Sequence, residues 1–133
     1  RSENIENIKK FYKKKIILLD RFTDSTIAYQ HYGMGVNLTI LKKINNYLLK
    51  NFKVDFTFLY IVNKKNMKKR LQQRKRLNRY DKFNDKFYKK VQNGFLKIAK
   101  EKKRAYQIID SNLSIKLNKK IIINKLKKII KWI

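Results

Sequence analysis

The chain has 133 residues, with 36 Lys and Arg against 9 Asp and Glu, so its formal net charge is +27. It has no cysteine, which excludes disulfides, thiolate metal sites and a cysteine nucleophile; at 43% hydrophobic it can build one core rather than stay disordered. Its longest apolar runs, such as Phe58-Leu59-Tyr60-Ile61-Val62, fall far short of the ~20 residues that span a bilayer, so no membrane span is expected. In chain order, Ile5, Ile8 and Phe11/Tyr12 mark one face of a helix over residues 2–12. Ile16-Ile17-Leu18-Leu19, ending in Asp20, reads as a buried strand. Residues 24–31 read as a short helix capped by Asp24 or Ser25, and Gly33 and Gly35 break the chain after it. Leu38, Leu41, Ile44, Leu48 and Phe52 repeat with helical spacing. Residues 55–62 carry the strongest strand signal, and 64–73 read as a helix. Residues 74–82 are charged and read as a mobile loop. Phe83, Phe87, Val91, Phe95 and Ile98 define an amphipathic helix. Residues 106–110 read as a third strand, and 115–133 as a helix with Ile122, Leu126, Ile129 and Ile133 on one face. Short buried strands alternating with helices predict one α/β domain over 1–133, with a parallel sheet.

The charge invites a nucleic-acid reading, because Lys and Arg displace counterions from phosphates. Yet lysine outnumbers arginine 29 to 7, although arginine is the better bidentate reader of phosphate and base. Lys, Ile and Asn supply 61 of the residues, and all three have A/T-rich codons. Genome composition therefore accounts for the charge better than a specific nucleic-acid partner does. A small basic nucleic-acid-binding protein stays as the alternative function.

The segment with chemistry is Asp20-Arg21-Phe22-Thr23-Asp24-Ser25-Thr26-Ile27-Ala28-Tyr29-Gln30. It follows the first predicted strand, and ligands of open α/β sheets bind beyond the carboxyl ends of strands. A guanidinium there can grip a phosphate through two parallel hydrogen bonds. An Asp–Arg surface pair beside a capped helix accounts for the same residues. His31, the one histidine, reads as a surface or packing residue rather than a base.

Asp-Arg-Phe-x-x-Ser-Thr-x-Ala-Tyr-Gln resembles the signature of the thymidylate kinase family. Val54-Asp55-Phe56-Thr57-Phe58-Leu59 resembles that family's Pro-Asp-Leu-Thr-Phe strand. Arg70-x-x-x-Arg74 followed by Leu77-Asn78-Arg79-Tyr80-Asp81 resembles its LID, here about residues 74–82. Residues 87–99 resemble the helix after the LID, and Ile109-Asp110-Ser111-Asn112 the last strand. The likeness covers nearly the whole chain in the same order.

The resemblance implies a P-loop nucleoside monophosphate kinase fold, with a parallel sheet flanked by helices. It implies phosphoryl transfer from ATP to dTMP, giving dTDP for dTTP biosynthesis, with Mg²⁺. It implies a homodimer, while the lack of cysteine and of a membrane span fits a reducing cytoplasm. Carried over by position, Arg21 would hold the transferring phosphoryl group and the dTMP phosphate. Asp20 would orient it and place the metal through water, with no direct metal ligand in this chain. Ser25 and Thr26 would lie near the pyrimidine, Tyr29 would wall the sugar 2′ position, and Gln30 would support that wall. Arg1 would donate to the thymine O4. Arg74 and Arg79 would be LID arginines near ATP, with Arg70 at the hinge.

There are departures. His31 stands for a glycine and Met34 for an arginine; Asn78 replaces an aspartate, and Val54 a proline. None touches Asp20 or Arg21, so altered tuning is expected rather than lost activity. Gly-x-x-x-x-Gly-Lys-[Ser/Thr], the loop that cradles ATP phosphates, does not occur in these residues. With a first residue of Arg1, the chain is expected to be the C-terminal part of such a kinase, without the N-terminal strands and inactive alone. Its strands at 55–62 and 105–110 should still pair in parallel.

Overall fold

A computed structural model describes residues 2–12, 14–50, 52–74 and 84–130. The expectations for Arg1, for 75–83 with Asn78 and Arg79, and for Ile133 lie outside the described residues. The chain divides into two compact units, residues 1–55 with 85–98, and residues 56–84 with 99–133.

In the first unit, helix α1 (Ser2–Phe11) buries Ile5 and Ile8, as its spacing predicts. It packs on α3 (Leu38–Leu49), which buries Leu41. Asn37 caps α3, its Oδ1 accepting from the Ile40 N–H at 3.2 Å. Lys50, at φ 48°, turns the chain left-handed and ends the helix three residues before the predicted Phe52. Phe52 instead meets Tyr12 and Phe22 edge-on, with centroids 5.6 and 5.9 Å apart.

The strand expected at 16–20 does not form. Residues 16–19 have no ladder partner among the described residues, and Ile16 and Leu18 are 62% and 83% exposed. A β-branched run becomes a strand only when a neighbour takes its N–H and C=O groups.

The helix read at 24–31 starts earlier and changes register. Helix α2 (Thr23–Thr26) opens at Phe22, and no side chain caps it. The expected caps fail because Ser25 N–H is already bonded to the Phe22 carbonyl at 3.1 Å, putting Asp24 and Ser25 inside the first turn. A π-helical stretch (Ile27–Gly33) follows and runs through the glycine predicted to end it. Met34 N–H bonds the Tyr29 carbonyl five residues back, at 3.1 Å. This wide turn lies against α5 (Asp85–Glu101), which buries Phe87, Val91 and Ile98 as its stripe predicts. Two glycines permit the approach. A Cβ at Gly33 would lie 2.6 Å from the Phe87 ring, and one at Gly94 would lie 2.5 Å from the Tyr32 ring.

The second unit is built on β1 (Thr57–Ile61) and β2 (Tyr106–Asp110), which pair in parallel from Thr57↔Tyr106 to Ile61↔Asp110. The expected parallel pairing is therefore present. Leu59 and Ile109 are the buried strand residues, at 8% and 1% exposed. Helix α4 (Lys64–Gln72) follows β1, and α6 (Ile115–Ile130) follows β2. A single 3₁₀ turn (Lys103–Ala105) leads into β2. Lys125 of α6 sits 4.8 Å over the Phe56 ring, and Asn118 Nδ2 donates to the Asp110 carbonyl at 2.9 Å.

Candidate functional site

In the first unit the structure brings Arg21 and Tyr29 together. Arg21 is exposed at φ 63°, a left-handed backbone that L-residues adopt only when the surroundings hold them there. Its Nη1 donates to Tyr29 Oη at 3.0 Å, and its guanidinium carbon lies 5.4 Å from the ring centroid. The Tyr29 ring is in turn flanked by Phe87 and Phe95 of α5, with centroids 6.1 and 6.2 Å away. Asp20 is exposed beside Arg21, and Ser25, Thr26 and Gln30 are half-buried on the helical turns that follow. The Gln30 carbonyl accepts from Val36 N–H at 2.9 Å, closing the π-helical stretch.

His31 Nδ1 lies 2.8 Å from the Val36 carbonyl. A carbonyl only accepts, so the proton sits on Nδ1. The ring also meets Tyr32 edge-on at 4.7 Å, so of the surface and packing roles expected for it, these contacts favour packing. Met34 is exposed after the last π-helical residue.

In the second unit a polar clasp closes the carboxyl ends of the two strands. Asn63 caps α4, its Oδ1 accepting from Asn66 N–H at 2.8 Å. Asn112 Oδ1 accepts from Asn63 N–H at 3.2 Å and from Asn66 Nδ2 at 3.0 Å. Asp110 Oδ1 accepts from the backbone N–H and the Nδ2 of Asn112, at 2.8 and 2.6 Å. Arg70 Nη2 donates to the Ser111 carbonyl at 2.6 Å, tying the far end of α4 to the same strand end. Arg74 is exposed just past α4. Of the two arginines expected on a LID, only Arg74 is among the described residues.

Reading the sequence missed the clasp, although an Asn directly before a Lys-rich helix is a cap signal. It also read Phe87 and Phe95 as core alone and gave them no part in holding Tyr29. Among the described residues no three His, Asp or Glu side chains gather to hold a metal ion. Asp20 is an exposed carboxylate, a kind of group that suits an outer-sphere contact to an ion that keeps its water.

The sequence model of the thymidylate kinase family matches residues 1–122. The chain belongs to the thymidylate kinase family. It is 38% identical over 112 residues to a thymidylate kinase of Sulfurihydrogenibium sp., covering 84% of this chain and 54% of that protein. A thymidylate kinase of Trichodesmium erythraeum is 32% identical over 99% of this chain and 60% of its own length. The crystal structure of thymidylate kinase from Ehrlichia chaffeensis superposes with a TM-score of 0.70 at 29% identity, over 95% of this chain and 58% of that one. The chain thus spans little more than half the length of these family members. The fold is α/β, as expected, with the parallel strand pair and helices of a nucleoside monophosphate kinase. Among the described residues no helix is long and apolar enough to cross a membrane.

Proposed function

We propose that this chain carries the acceptor-binding and LID residues of a thymidylate kinase, which moves the γ-phosphoryl group of ATP to dTMP and yields dTDP for dTTP biosynthesis. The observation that carries the reading is Arg21, inside the signature segment, held exposed in a left-handed backbone against Tyr29. Transfer of this kind is mostly positioning and charge neutralisation, which is work for a guanidinium. Arg21 binds the dTMP phosphate and the group in transfer, and Asp20 orients it. Ser25 and Thr26 flank the pyrimidine, Tyr29 lies at the sugar with Gln30 behind it, and Arg1 reads the base. Arg74 and Arg79 serve ATP on the LID, with Arg70 as its anchor. Asp20 would hold Mg²⁺ through water, and the ion would supply charge neutralisation at the nucleotide phosphates. The enzyme works as a homodimer in the cytoplasm.

The test uses the full-length protein. ADP formation from ATP should require dTMP, and Arg21→Ala should lower the rate by on the order of a thousandfold. A loss under tenfold removes Arg21 from the chemistry. Base-insensitive binding that collapses steeply with salt would favour the nucleic-acid reading instead.

A further inference from the structure

Tyr29 does more in this structure than a sugar wall requires. Its phenol oxygen accepts a hydrogen bond from Arg21 Nη1 at 3.0 Å, and its ring lies under the same guanidinium. We propose that Tyr29 is a positioning residue that aims Arg21 before any ligand arrives. The inference rests on the reading of Arg21 as the phosphate-binding group.

Three observations carry it. Arg21 is exposed, and an exposed arginine on a flexible stem spreads over many rotamers unless something holds its tip. Its left-handed backbone launches the side chain in a direction an ordinary turn would not give, and the tip then lands on Tyr29. Tyr29 is itself fixed, because Phe87 and Phe95 stand beside its ring and the π-helical register sets where the ring projects. The anchor is therefore built into the helix packing, through glycines 33 and 94.

The bond also leaves the useful edge of the guanidinium in place. It engages Nη1, so the edge formed by Nε and Nη2 keeps the paired geometry that grips a phosphate. A preset fork loses less rotamer freedom when phosphate binds, and that difference appears as affinity.

Calorimetry on the full-length protein tests this with dTMP and thymidine as probes, on wild type, Tyr29→Phe, Arg21→Ala and the double variant. Tyr29→Phe keeps the ring and removes the oxygen. It should weaken dTMP about three- to tenfold, the scale of one hydrogen bond to a charged group, and weaken thymidine, which lacks the phosphate, clearly less. Added to Arg21→Ala it should cost nothing more. Equal losses for dTMP and thymidine, or a full additional loss in the double variant, would overturn the proposal. A ligand-free readout accompanies it. The Arg21 guanidinium nitrogen-15 spectrum should show a slowly rotating, hydrogen-bonded Nη1 in wild type and lose it in Tyr29→Phe. If wild type binds neither probe, the phosphate reading of the site fails. The ligand-free spectrum then decides the positioning claim alone, and an unchanged Arg21 signal overturns it.

Discussion

Two apolar runs of similar make-up end differently. Ile16-Ile17-Leu18-Leu19 is the more aliphatic, yet it stays out of any ladder and exposes Leu18 at 83%. Thr57–Ile61 contains two aromatics and a threonine, yet it pairs residue for residue with Tyr106–Asp110. Composition made both runs competent to be strands. What separates them is a neighbour: β1 finds β2 within its own unit, and the pair then buries Leu59 and Ile109. Strand propensity is a statement about surroundings, so its energetic weight should be found wherever a partner exists.

That comparison can be broken by mutation. Ile109→Ala should cost about 2–5 kcal/mol in urea unfolding, because it empties a site only 1% exposed. Leu18→Ala should change stability by no more than about 0.5 kcal/mol, since the side chain already faces water. Similar costs for the two would mean that the 16–19 run is buried after all.

A smaller effect sharpens the contrast by asking what orders the segment after that run, where no strand does. Gly94→Ala would place a methyl 2.5 Å from the Tyr32 ring and force either the ring or α5 to move. A cost of about 1–3 kcal/mol is expected, measured by the same unfolding experiment. A neutral result would show that the π-helical turn is not held by its fit to α5.

The smallest effect belongs to α1, which precedes the unpaired run. A hydrogen bond from Lys9, aided by its charge, holds the Glu6 carboxyl below the usual carboxylate range. A lowered folded pKa stabilises above the unfolded pKa, and the contribution is lost as pH falls through the folded value. Glu6 is exposed and Lys9 only half-buried, so Glu6→Gln should barely alter the unfolding midpoint at neutral pH. Carboxyl carbon-13 titration should show Glu6 losing its proton at lower pH than a free glutamate. A titration at the ordinary value would remove the pair.

Much of the fold was legible because its signals were local. Phe87, Val91 and Ile98 recur at helical spacing, and they are the buried face of α5. Tyr106–Asp110 is bounded as read, because a charged turn precedes it and a polar one follows. The π-helical register was not legible, since it depends on how close α5 can come through Gly33 and Gly94. The missing strand at 16–19 was not legible either, because a run cannot report whether a partner lies beside it. Within the site, the motif pointed to Arg21 and Tyr29 separately. Their hydrogen bond emerged only once the turn between them was built.

The left-handed backbone at Arg21 has a consequence for anyone making this protein more robust. An L-residue in that conformation carries a penalty of roughly 1–2 kcal/mol that glycine escapes. A screen that rewards only thermal survival would therefore drift toward glycine at position 21 and discard the guanidinium. On the proposed reading of Arg21 as the phosphate-binding group, endurance and chemistry compete for the same residue, and keeping both requires selection for turnover as well as heat.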